Sequence, residues 1–137
     1  MKMIRSIPAL PVRNMMDAVE CYTRRFGFLV HHLEAGFCIL LRDAVELHLW
    51  ESADESWKER LQTHPEQPVS SGAESFIAGT SSCRIEVSGI DALFALYKES
   101  EVLYNAATEV RSMPWGAREF PTLDNCGNLL TFFERER

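Results

Sequence analysis

The stretch AVELHLW at residues 44–50 decides the architecture. Val45, Leu47 and Leu49 alternate with Glu46, His48 and Trp50, the period-two pattern of a strand with one face in a core and the other outside it. SCRIEVS at 82–88 repeats the pattern, with Ile85 and Val87 opposed to Arg84, Glu86 and Ser88. Outward from the first stretch, a turn at Arg42 and Asp43 follows the strand FCILL (37–41), and a turn at Ala35 and Gly36 follows the strand FLVHHL (28–33). Upstream, Asn14 predicts an N-cap, Met15, Val19, Tyr22 and Phe26 recur at helical spacing, and Gly27 closes the helix. Residues 3–13 are apolar but hold Pro8 and Pro11, so they predict an edge strand paired on one side.

Outward from the second stretch, residues 91–100 predict a helix with Leu93, Leu96 and Tyr97 on one side. A weak strand follows at 107–111, and REFPTLD (118–124) and LLTFFER (129–135) predict two more, joined by the turn DNCGN (124–128). Each half is therefore β-α-β-β-β, and the chain predicts an α+β fold that uses one supersecondary unit twice. A length of 137 residues suits a single domain over 1–137, with module one at about 1–50, an insert at 51–80 and module two at about 81–137. The insert predicts a short acidic helix over 52–62 and a loop over 63–75. Its six acidic residues against Lys58 and Arg60 supply four of the six net negative charges.

These numbers also exclude functions. Hydrophobic residues at 46% and charged residues at 25% are globular composition. No apolar run approaches the roughly 18 residues that span a bilayer. The N-terminus, broken by Pro8 and Pro11, reads as a strand and not as a signal peptide, which places the protein in the cytoplasm and off the membrane. An acidic chain without a basic patch argues against nucleic acid and suits a cationic small molecule. Cys21, Cys38, Cys83 and Cys126 lack metal-site spacing and read as free thiols, Cys83 included despite its neighbour Arg84. His31 and His32, adjacent on a strand, point to opposite faces and do not chelate together.

If the apolar faces pack under the helices, the opposite faces carry Glu46, His48, Trp50, Arg84 and Glu86. Such faces either meet solvent or line a cleft rich in aromatics and carboxylates. Further motifs discriminate. SIPALPV (6–12), GF (27–28), GFCILL (36–41), ELHLWESADESW (46–57), GAESFIAGTSSCRIEV (72–87) and PWGAREF with D-x-x-G-N-x-x-x-F (114–132) together cover nearly the whole chain. On these segments the chain resembles the vicinal-oxygen-chelate superfamily, which contains glyoxalase I, extradiol dioxygenases and the fosfomycin- and bleomycin-resistance proteins. It is most similar to the bleomycin-resistance group.

The resemblance implies curved mixed sheets that form a cleft. It also implies metal-ligand positions on the first, fourth, fifth and eighth strands in the enzymes of the superfamily. Here those positions fall on Ile7, Glu46, Arg84 and Thr131, of which only Glu46 could bind a metal. The resemblance therefore implies a binder rather than an enzyme, with no catalytic residues, metal or cofactor, that sequesters a bleomycin-type antibiotic unmodified. Phe37, Trp50 and Trp115 are candidates to stack on the flat bithiazole. Glu46 and Glu86 are candidates to hold the cationic tail, with His48 beside Glu46, and Arg84 and Thr131 candidates for polar contacts. Family members form homodimers with clefts assembled between subunits, and the edge-like first strand is a candidate for exchange between partners. Two alternatives remain: a metal-dependent enzyme with displaced ligands Glu46, His48 and Glu119, and a binder of another small molecule.

Overall fold

Alternation along the strands fixes two sheets, and the computed structural model describes them through residues 1–52 and 77–136. The order is β1 (Ala9–Val12), α1 (Met15–Glu20) continued by a π-helical turn (Cys21–Arg25), β2 (Leu29–Glu34), β3 (Phe37–Arg42), β4 (Val45–Glu51), β5 (Ser82–Glu86), α2 (Ile90–Glu99), β6 (Arg111–Met113), β7 (Ala117–Leu123) and β8 (Leu129–Arg135). The strands form two four-stranded mixed sheets, ordered β1-β4-β3-β2 and β5-β8-β7-β6. In each, the first strand of the module runs parallel to the last and the other pairs are antiparallel. The expected helix at 52–62, the loop at 63–75 and Trp57 lie outside the described residues.

Asn14 caps α1 as its residue type predicts: its Oδ1 accepts from the Asp17 amide at 3.0 Å. Asn14→Ala should cost about 1 kcal/mol in urea unfolding, the usual worth of such a cap. The first strand is shorter than the 3–13 expected. Pro8 and Pro11 lack amide protons, and only Ala9–Val12 pairs, with β4 alone, so β1 is the edge strand its prolines predict. The weak strand expected at 107–111 begins at Arg111 instead. Asn105 takes the preceding residues into a local turn, accepting from the Ala107 amide at 2.9 Å while the Thr108 hydroxyl accepts from the Asn105 amide at 3.0 Å. The turn expected at Arg42 and Asp43 forms one residue later, with Asp43 in the left-handed region. A bulge between Val30 and His32 breaks the alternation expected of the histidine pair.

One hydrophobic cluster spans both modules. Leu47, Leu49, Cys38 and Leu40, the inward halves of β4 and β3, are fully buried, as are Phe120 and Leu130 on β7 and β8. Phe26 stacks on Phe132 with centroids 6.3 Å apart and meets Tyr97 edge-on at 5.3 Å, so aromatic contacts join the halves. The start of α2 is tied to its sheet. Glu134 accepts from the Gly89 amide at 2.8 Å, and Arg118 grips Asp91 with two bonds of 2.9 Å, which holds the Asp91 carboxyl below its usual range. Arg118 thus braces the start of the helix against β7.

Candidate functional site

With the apolar faces turned into the shared core, period-two geometry leaves the polar set on the two outer faces. On the first sheet, Phe37 and Trp50 are cross-strand partners whose rings lie 4.3 Å apart. His48 meets the Phe37 ring edge-on at 5.2 Å. Its Nε2 lies 2.7 Å from Glu46 Oε2, and Arg5 Nη2 donates to the other oxygen of Glu46 at 2.9 Å. The structure thus joins Phe37, Glu46, His48 and Trp50 into one surface: an aromatic pair at one end and a carboxylate held between two donors at the other.

On the second sheet, Arg84 and Thr131 are register partners. Arg84 Nη2 donates to Glu119 Oε2 at 2.5 Å, and its guanidinium lies over the Phe133 ring at 4.7 Å. Glu86 pairs with Arg135 at 3.1 Å. Trp115 is 64% exposed, outside the core. It shares a depression with Arg84, Phe133 and Arg135. The eight candidate residues therefore divide four and four between the sheets. The faces meet along a groove of about 570 Å3 lined by Arg5–Pro8, Ala44–Leu47 and Cys83–Glu86, which brings Ile7, Glu46 and Arg84 to one place. Arg5, Phe133 and Arg135 were missed in the sequence. The last two share the outward phase of LLTFFER with Thr131, so alternation could have found them.

A metal fits this site poorly. Of the four superfamily positions, Ile7 has no donor atom and Arg84 brings a positive charge, while both oxygens of Glu46 already accept from Arg5 and His48. The displaced set Glu46, His48 and Glu119 is split between the sheets, with Glu119 bound to Arg84. No group of three or more His, Cys, Asp or Glu side chains converges among the described residues.

The four cysteines are free, Cys21 and Cys38 buried and Cys83 and Cys126 partly so. Burial pushes Cys83 up to about 11, and the Asp124 charge adds to the effect; burial also pushes Cys21 up to about 11. An unfolded thiol titrates near 8.5. The folded state therefore holds more protons above that pH, and stability falls as pH rises from about 8.5 through about 11. Urea midpoints at pH 8 and pH 10.5 should show the fall, and a Cys21→Ser, Cys83→Ser double variant should flatten it.

Paired β-α-β-β-β modules with polar outer faces define a protein of the vicinal-oxygen-chelate fold. Solved structures that share the fold include a glyoxalase/bleomycin resistance protein/dioxygenase from Nocardioides (TM-score 0.67, 20% identity, 100% of this chain and 86% of that one) and a bleomycin-binding protein from Streptomyces verticillus complexed with copper(II)-bleomycin (TM-score 0.71, 22% identity, 96% of each). The chain is 43% identical over 133 residues to the bleomycin resistance protein of Geobacillus stearothermophilus, covering 97% of this chain and 98% of that one. It belongs to the bleomycin resistance protein family. No family model matches it.

Proposed function

We propose that the protein binds bleomycin-family antibiotics and holds them unmodified, conferring resistance by lowering the free drug. The observation that carries this is 43% identity along nearly the full length to a protein named for bleomycin resistance. The outer faces supply the matching chemistry. The Phe37 and Trp50 rings offer a stacking surface for a flat bithiazole, with Trp115 a second one. Glu46 and Glu86 accept from a cationic tail, His48 supports Glu46, and Arg84 and Thr131 serve the drug's polar groups.

In this reading the protein is a cytoplasmic, single-domain binder and not an enzyme, and it works as a homodimer. The segment before β1 supports the dimer: Met3 and Ile4 are apolar and fully to largely exposed, a surface that exchange with a partner would cover. Expression in a bleomycin-sensitive bacterium tests the proposal. Protection should appear together with drug-dependent quenching of tryptophan fluorescence by the purified protein. Quenching by another ligand, with no protection in cells, would assign the cleft to a different small molecule.

A further inference from the structure

A second cavity opens on the core side of the sheets, where the modules abut. It measures about 360 Å3 and is lined by Phe28 and Val45 of module one and by Ile85, Leu93, Tyr97 and Phe132 of module two. Among the described residues one cation lines it, Arg42. Its guanidinium is fixed: Nη1 donates to the Phe26 carbonyl and to the Tyr97 hydroxyl at 2.9 Å, and the Tyr97 hydroxyl donates to the Phe26 carbonyl at 2.7 Å. Gly27 makes this approach possible, because a Cβ there would stand 2.8 Å from Arg42 Nη1. Among the described residues, Nε and Nη2 of Arg42 have no hydrogen-bond partner and no carboxylate pairs with the group.

A cavity of this size, walled mainly by apolar side chains with one fixed guanidinium to orient a carboxylate, has the makings of a site for a small organic anion. We propose that this cavity binds an apolar monocarboxylate of roughly ten to fifteen non-hydrogen atoms, its carboxylate on Arg42 and its hydrocarbon body between Phe28, Leu93 and Phe132. The rim sets the charge selectivity. Asp43 and Glu86 also line the cavity and are exposed, and Glu86 is held by Arg135. A second carboxylate on the ligand would face these two and be rejected. The cavity adjoins the outer groove, with which it shares Ala44, Val45, Ile85 and Glu86.

Titration of the full chain with 4-phenylbutyrate, 4-phenylbutyramide and phenylsuccinate, followed by calorimetry, tests the proposal. The monocarboxylate should bind with a Kd of about 1 mM or tighter, and the amide and the diacid at least tenfold more weakly. Leu93→Trp, which fills the cavity and leaves Arg42 in place, should abolish binding. Arg42→Gln should reduce acid binding to the level of the amide. Absence of binding by the acid, equal binding of acid and amide, or binding that survives Leu93→Trp in folded protein would overturn the proposal.

Discussion

Asp124→Ala should cost about 3–5 kcal/mol of stability, the largest loss expected from any single polar side chain here. Asp124 is buried, and its carboxylate accepts four hydrogen bonds: from the Tyr22 hydroxyl at 2.8 Å, the Cys126 amide at 2.8 Å, the Asn128 amide at 2.9 Å and Asn128 Nδ2 at 2.8 Å. The same Nδ2 donates to the Pro11 carbonyl at 2.8 Å, and Asn128 Oδ1 accepts from the Ser81 amide at 3.2 Å. The network thus shapes the β7–β8 hairpin and fastens it to β1 and the helix of module one. Alanine would leave the fully buried Tyr22 hydroxyl and two amides without acceptors, each worth about 1–3 kcal/mol. Tyr22→Phe removes one of four donors and should cost only about 1–2 kcal/mol. For a chain of this length the alanine variant should melt roughly 10–20 °C lower. A loss for Asp124→Ala below about 1 kcal/mol would show that the network does not fasten the modules.

Trp50→Ala should weaken drug binding by about 30-fold or more, in the range of an aromatic anchor at the centre of an interface. Trp50 is half-buried against Phe37, so its ring is held in place before any ligand arrives. Phenylalanine keeps a stacking face and should restore affinity to within about fivefold. It should also fold at least as well, because Trp50 Nε1 is buried without a hydrogen-bond partner among the described residues. Fluorescence-independent titration in the two variants separates these expectations. An alanine variant that binds within about threefold of the parent would remove Trp50 from the site.

Much of the fold was legible because its information is local. Period-two alternation in 44–50 and 82–88 predicts which side chains are buried, and Leu47, Leu49 and Ile85 are. The Asn14 cap and the 124–128 turn are written in residue types with one strong local preference each. The role of Asp124 was not legible. The turn signal explains its bonds to Cys126 and Asn128, but Tyr22 and Pro11 lie more than a hundred residues away in the chain, and no local pattern encodes that pairing. The same holds for Arg42, which reads as a turn residue and meets Tyr97 only through the packing of the modules. The candidate site was legible as two faces, since alternation places each residue on a side. How those faces divide between the sheets follows from the tertiary arrangement, which also exposes Trp115.

Calorimetric titration of chelator-treated protein with copper-loaded bleomycin, followed by mass analysis of the recovered drug, tests the central claim most directly. Saturable binding near one drug per subunit, with the drug's mass unchanged, is the predicted result. No heat at drug concentrations in the tens of micromolar, which means binding weaker than about −6 kcal/mol, or recovery of a modified drug, would contradict it.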